Sequence, residues 1–264
     1  KMEWKVSVFP EKKWKRRESI LNFLKERKEV SVEELIQHFG LSPSTIRRDL
    51  YVMEKEEMVI RTFGSVQINM DFTMLIPHFD ERFAANAAEK KAIAVRLCQD
   101  IPDGASVALD SSTTCYYIAQ ELKNRSGMQF ATNSIKIATC LSSSEKNNVM
   151  LAGGNYRPRN FDCLGSQAIS FFGSMRFDYV IYSPDLIVPG KGIFHISGQL
   201  TDIIIAMKNA SDHILLAADH SKFEQKANFK SAGFDELDTI YLGQDTSAEN
   251  VELLKACGTK TVLC

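Results

Sequence analysis

Apolar residues recur at helical spacing three times within the first sixty positions. Ile20, Phe23 and Leu24 mark a helix over residues 17–27. Leu35, Ile36 and Phe39 mark a second, and Gly40 stops it. Ser31-Val32-Glu33-Glu34 ahead of the second helix has the spacing of a capping box. Ile46, Leu50 and Met53 mark a third helix, with Ser42 as its N-cap and Pro43 at its first position, where a missing N–H costs nothing. Two short helices joined by a tight glycine turn form a helix-turn-helix. Past Glu57 the pattern changes. β-branched residues flank Gly64 between Val59 and Ile68, which predicts a small hairpin, the wing of a winged helix.

From residue 105 strand-like and helix-like runs alternate. Strands are expected at 106–110, 129–133, 148–153, 179–183, 213–219, 239–243 and 260–264. Helices are expected at 114–122, 134–141, 166–173, 202–210 and 248–256. That alternation predicts an α/β fold with a Rossmann-like, mostly parallel sheet and helices on both faces. Between the two regions, 69–88 reads as a connector broken by Pro77. Its end starts a helix that continues through Ile93, Val95 and Leu97.

At 264 residues two domains are expected, and 44% hydrophobic content is ample for their cores. The net charge of −1 is unevenly spread. Residues 1–68 hold 14 Lys and Arg against 11 Asp and Glu, an excess of +3, and the remainder carries −4. The organisation expected is a basic tail (1–15), a winged helix-turn-helix domain (16–68), the connector (69–88) and an effector-binding and oligomerisation domain (89–264). The run Lys12-Lys13-Trp14-Lys15-Arg16-Arg17 either tracks a nucleic-acid phosphate or belongs to a solvated tail. Six scattered cysteines without C-x-x-C or a nearby histidine pair argue against a zinc site, and no metal or cofactor is expected. With no secretory signal and no long apolar run, a reduced, cytoplasmic protein with no membrane partner is expected. Cys115, near a helix N-terminus, is either a thiol of lowered pKa or buried filler.

The polar face of the third helix carries Ser42, Ser44, Thr45, Arg47 and Arg48, hydroxyls and guanidiniums suited to phosphates and base edges of double-stranded DNA. Arg61 on the wing is placed either to touch a phosphate or to be solvated. In the α/β part, ligands bind outside the carboxyl ends of the strands. Asp110-Ser111-Ser112-Thr113-Thr114 joins such an end to a helix N-terminus, an arrangement that suits an anion. Asn133, Gly153-Gly154 and Lys222 follow three other strands. Each alone reads equally as a helix cap or a turn; together on one edge they predict a pocket.

The run Thr45-Ile46-Arg47-Arg48-Asp49-Leu50 and the wing after it resemble the N-terminal domain of the DeoR family of bacterial transcription regulators. The resemblance extends through Arg82, Lys90, Ile93, Ala94, Ile101-Pro102-Asp103-Gly104, Leu109-Asp110, Thr113-Thr114, Thr132-Asn133-Ser134, Gly153-Gly154 and Asp219-His220-Ser221-Lys222-Phe223. It implies a sensor domain related in fold to sugar-phosphate isomerases, a phosphorylated sugar as effector, and repression of a carbohydrate operon. A single winged helix reads too few base pairs for genomic selectivity, so a homo-oligomer, dimer or tetramer, is expected. Three departures stand out. Ser65 replaces the second wing glycine, and Ser112 replaces the glycine of the Asp-x-Gly-Thr-Thr loop. The segment 183–205 lacks the family's Lys-Arg pair, carrying Ile203-Ile204-Ile205 instead, residues suited to a core or to a subunit interface. The alternative is a sugar-phosphate isomerase-like enzyme with an accessory DNA-binding domain. Asp110 and Lys222 would then be its acid–base groups, but no second carboxylate is placed in a pocket loop, and the nearest candidate, Asp185, lies inside the divergent segment. No catalytic residue is assigned.

Overall fold

The computed structural model describes residues 16–264 apart from 18, 22, 25, 26, 28, 56, 57, 63 and 69–78. The expected tail at 1–15 and the first half of the expected connector lie outside the described residues. The chain divides into two compact units, Lys1–Ile76 and Pro77–Cys264.

In the first unit the described residues of 16–27 are helical. Helices α1 (Val32–Phe39) and α2 (Pro43–Lys55) follow, joined through Gly40 at φ 60°, a left-handed conformation that glycine adopts without a Cβ clash. The Ser31 hydroxyl accepts from the Glu34 amide at 3.1 Å, as a capping box requires. The reciprocal bond is replaced, because the Glu34 carboxylate pairs with Arg27 instead. Strands β1 (Glu29–Ser31), β2 (Val59–Arg61) and β3 (Ser65–Ile68) form an antiparallel sheet in the order β1-β3-β2. The hairpin β2–β3 is the expected wing. Strand β1, three residues long, has no alternation for sequence reading to detect. Ile20, Leu24, Leu35, Ile46, Leu50, Met53 and Val66 are fully buried and make the core of this unit.

The second unit is built on a seven-stranded sheet, all of it parallel. Its strands are β4 (Ser106–Leu109), β5 (Gln129–Thr132), β6 (Asn148–Leu151), β9 (Phe177–Tyr182), β12 (Ser211–Ala218), β14 (Thr239–Leu242) and β15 (Lys260–Leu263). The order is β15-β14-β12-β9-β4-β5-β6. The chain leaves β4 towards β6, then returns to the other side of β4 with β9. The topological switch therefore lies between β4 and β9, where such sheets hold ligands. Two cores flank the sheet. One centres on Phe172, Phe177, Tyr182 and Leu216, the other on Leu97, Ile118, Phe130 and Leu141. The helices are α3 (Phe79–Ala84), α4 (Ala87–Cys98), α5 (Thr113–Leu122), α6 (Ile135–Leu141), α7 (Ser166–Gly173), α8 (Gly198–Asn209) and α9 (Ala248–Ala256).

Four features depart from the sequence expectations. The helix leading out of the connector is two helices, broken at Asn86, which sits at φ 52°; Val95 is 42% exposed rather than interior. Helix α8 begins four residues before the expected 202, because the Ser197 hydroxyl caps it by accepting from the Leu200 amide at 3.3 Å. The divergent segment also carries strands β10 (Leu186–Val188) and β11 (Gly192–His195), which form a small antiparallel sheet with β13 (Phe229–Ala232) in the order β10-β11-β13. A hairpin of β7 (Asn155–Arg157) and β8 (Asp162–Leu164) was likewise not expected. Of the isoleucine run, Ile203 and Ile204 lie in the core and Ile205 is 37% exposed.

Candidate functional site

Helix α2 has two distinct faces. Ile46, Leu50 and Met53 enter the core, and so does Asp49, which is 1% exposed. A buried carboxylate needs partners. It accepts from Arg16 Nε at 2.5 Å and Arg17 Nε at 3.1 Å, which ties the first helix to α2. Both guanidiniums expected to track phosphate are thus committed to Asp49, and the hydrogen bond holds the Arg16 pKa above its ordinary value. On the other face Ser42, Ser44, Arg47 and Arg48 are exposed and Thr45 is half-buried. The Ser42 hydroxyl is the N-cap, in contact with the Thr45 amide at 3.3 Å, the Thr45 hydroxyl at 2.8 Å and the Ser44 hydroxyl at 3.1 Å. Neither Arg47 nor Arg48 has a hydrogen-bond or ion-pair partner among the described residues. Arg61, on β2, pairs with Glu54 of α2 at 3.3 Å. The Ser65 hydroxyl donates to the Glu29 carboxylate at 2.5 Å and meets the Thr62 hydroxyl. The serine at the wing's second glycine position therefore fastens the wing to β1.

In the second unit, Asp110, Asn133, Gly153 and Lys222 all follow carboxyl ends of parallel strands, and so share one edge of the sheet. Asp110 stands at the switch point. Its Oδ1 accepts from the Ser112 amide at 2.9 Å and its Oδ2 from the Ser183 amide at 3.2 Å, joining the loops after β4 and β9. Burial pushes its carboxyl above the usual range, against those hydrogen bonds. The Ser112 hydroxyl caps α5 through the Cys115 amide at 3.1 Å, a bond that the family's glycine lacks. Ser111, Thr113 and Thr114 are buried. Cys115 is correspondingly not a reactive thiol: it is fully buried, and burial together with nearby Asp110 drives its pKa well above the ordinary value.

The β7–β8 hairpin is stitched across these loops. Asp162, fully buried, accepts from Arg157 through Nε at 2.9 Å and Nη2 at 2.6 Å, and from the Ser111 hydroxyl at 2.8 Å. Asn133 donates through Nδ2 to the Cys163 carbonyl at 3.1 Å, while its Oδ1 is buried with no partner among the described residues. Gly154, at φ 147°, is where the chain enters the hairpin. A Cβ there would stand 2.3 Å from the Leu164 carbonyl oxygen.

The loop after β12 is bound to the start of α4. Asp219 accepts from Asn86 Nδ2 at 2.9 Å, and Lys90 Nζ lies 3.8 Å from its other oxygen. Lys90 also donates to the carbonyls of Arg82 and Ala85 at 2.6 and 2.7 Å, and burial draws its pKa down to about 8. Beside it, Glu89 accepts from the His220 amide at 3.0 Å and faces His220 Nδ1 at 2.8 Å. The hydrogen bond with Glu89 raises the His220 pKa above its ordinary value of about 6.5. Stability from this pair is fully present below the ordinary value and is lost as pH rises through the raised one. NMR titration of the His220 ring is expected to give a midpoint above that of an exposed histidine, with Glu89→Gln returning it to the ordinary range; equal midpoints in both proteins would discount the pair. Lys222, on the same loop, is half-buried and has no ion-pair or hydrogen-bond partner among the described residues.

Asp49, Asp162, Arg157, Glu89 and His195 were not singled out by the sequence. The partners of Asp49 and Glu89 are distant in the chain, Arg157 and Asp162 look like an ordinary surface pair, and His195 is buried without a partner on its ring. Among the described residues no helix is long and apolar enough to cross a membrane.

Comparison with known proteins gives a consistent picture. Residues 16–71 match the DeoR-like helix-turn-helix domain, and residues 85–244 the DeoR C terminal sensor domain. The chain is 28% identical over 253 residues to the glycerol-3-phosphate regulon repressor of Escherichia coli, covering 96% of this chain and 100% of that one. It is 30% identical over 242 residues to the lactose phosphotransferase system repressor of Lactococcus lactis subsp. lactis, covering 91% and 94%. Among solved structures, ribose 5-phosphate isomerase from Plasmodium falciparum is similar at a TM-score of 0.38 and 12% identity over 52% of each chain.

Proposed function

The chain belongs to the DeoR family of transcription regulators, and from that premise we propose that it is a DNA-binding repressor of a carbohydrate operon, released by a phosphorylated sugar. The observation that carries the DNA-binding part is the two-faced helix α2. Its buried face is fixed by Asp49 and the core, and its other face presents Arg47 and Arg48 free to meet a base edge or a phosphate. Ser42, Ser44 and Thr45 stand beside them at the N-terminus, where amides and hydroxyls suit a backbone phosphate. Arg61 reaches the duplex only by leaving Glu54, a half-exposed pair that binds weakly.

The effector is proposed to sit at the carboxyl edge of the main sheet, bordered by the loop 110–114, Asn133, the Gly153-Gly154 turn and Lys222, with Lys222 as its cation. Binding must favour one arrangement of the protein over another, or it cannot change DNA affinity. Catalysis is no part of this reading. Asp110, the candidate general base, accepts a backbone amide on each oxygen and braces the loops after β4 and β9. The homo-oligomer and the cytoplasmic location remain part of the proposal, as a palindromic or repeated operator needs the first and DNA the second.

The test is a gel shift on the DNA upstream of the protein's own operon, with and without phosphorylated sugars. The full chain is expected to retard the DNA and a phosphorylated sugar to release it. Lys222→Ala is expected to retard it and to resist release. Loss of retardation in Lys222→Ala would make Lys222 structural, and no retardation by the unmodified chain overturns the DNA-binding reading.

A further inference from the structure

Strand β11 ends in a histidine with no bonding partner. His195 is 1% exposed, and both its ring nitrogens lack a hydrogen bond among the described residues. The nearest charged oxygen, Asp185 Oδ2, is 3.8 Å from Nδ1 and already accepts from the Ile196 amide at 2.9 Å. The Ser183 hydroxyl is also buried without a partner, and the Tyr182 hydroxyl faces Ser231. The Tyr182 and His195 rings lie 6.0 Å apart between centroids. Tyr182 is the carboxyl end of β9 and Ser183 follows it, beside the switch point, so these groups stand at the same edge as Asp110. Leaving a buried polar group unpaired costs about 1–3 kcal/mol, so a cluster of them on a ligand-binding edge marks a place that something else completes.

The chemistry of the orphans says what. Burial lowers the His195 pKa, so the ring is neutral, with one N–H donor and one acceptor nitrogen. The tyrosine and serine hydroxyls each donate and accept as well. An anion would use only the donors and would sit beside the Asp110 and Asp185 carboxylates, which the buried Arg82 guanidinium already answers. A hydroxyl uses both functions. The cation Lys222 lies on the loop after β12, where β10 packs. We infer that His195, with Tyr182 and Ser183, reads the hydroxyl groups of a polyhydroxylated effector whose anionic group is held towards Lys222, making His195 a specificity-determining residue. The inference rests on the effector reading above and goes beyond it by dividing the ligand between two subsites.

The test uses the full chain, thermal shift and calorimetry. Probes are phosphorylated aldoses, ketoses and polyols, their unphosphorylated forms, and inorganic phosphate. His195→Phe keeps the ring and removes both polar atoms; His195→Gln restores one donor and one acceptor. For the tightest phosphorylated sugar, His195→Phe is expected to weaken binding at least tenfold, and His195→Gln less. Affinity for inorganic phosphate is expected to stay within twofold in both. Unchanged affinity for the sugar phosphate, or an equal loss for inorganic phosphate, overturns the role of His195. So does an unliganded melting temperature lowered in both variants with sugar-phosphate affinity kept in both, since His195 is then a packing residue. If the unmodified chain binds no phosphorylated probe, the effector reading itself fails, and that outcome is separate from the others because it does not involve the variants.

Discussion

Replacing Asp162 by alanine is expected to destabilise the second unit by about 3–5 kcal/mol, the usual cost of removing one partner from a buried ion pair. The carboxylate is fully buried and holds three donors: two from Arg157, which is 16% exposed, and the Ser111 hydroxyl. Alanine leaves all three without an acceptor, inside a hairpin whose remaining hydrogen bonds to the loops after β4 and β5 run from the Cys163 amide to the Asn133 carbonyl, from Asn133 Nδ2 to the Cys163 carbonyl and from the Ile135 amide to the Phe161 carbonyl. A typical domain is stable by only about 5–15 kcal/mol, so the loss is a large part of the total. Urea unfolding followed by far-UV circular dichroism measures it. Tryptophan emission does not, because Trp4 and Trp14 both lie in the first unit's sequence. The midpoint is expected to fall at unchanged slope. The double variant Arg157→Met, Asp162→Leu is expected to recover most of the loss, since removing both partners leaves neither charge of this pair buried alone. A change below about 1 kcal/mol in Asp162→Ala sinks the account of the hairpin as a polar clasp.

That clasp also shows where the sequence is legible and where it is not. The seven main strands are readable because each is a short apolar run bounded by a cap or turn residue, and a strand buried on both faces needs little else. The helix-turn-helix is readable because Ser31, Gly40, Ser42 and Pro43 mark its boundaries with residues that have specific backbone uses. Strands β10, β11 and β13 have three or four residues each; β10 and β11 form a tight hairpin, and β11 pairs with β13 across a long stretch of chain, His195 lying opposite Phe229. No local period announces such a sheet. The same holds for the candidate site. Asp110 and Lys222 follow recognisable strands, so their places on the edge are legible. The burial of Asp162 and the empty valences of His195 arise only from tertiary packing. The divergence of 183–205 is visible in the sequence as missing charges, but its physical content, a small sheet bringing a neutral histidine beside Asp185, is not.

The functional counterpart is a pair of substitutions on α2. Arg47→Ala and Arg48→Ala are each expected to weaken operator binding by about 1–3 kcal/mol, roughly 5- to 150-fold, if the arginine reads a base. The helix geometry sets the expectation. Ile46, Asp49, Leu50 and Met53 occupy one side, held by the core and by Arg16 and Arg17. At about 100° per residue, positions 47 and 48 turn to the opposite side, where both are exposed. Neither arginine has to break an ion pair among the described residues before it binds, unlike Arg61, so little offsets the contact. Lysine substitutions separate the two kinds of contact. A phosphate contact survives Arg→Lys and its loss lowers the salt dependence of binding by about one ion; a bidentate guanine contact does not survive, and its loss relaxes specificity at one base pair. One arginine of each kind would give opposite results at positions 47 and 48 in the same gel-shift series. Operator binding equal to that of the unmodified protein in both alanine variants would remove α2 from the interface, and with it the reason for the exposed face that Asp49 holds in place.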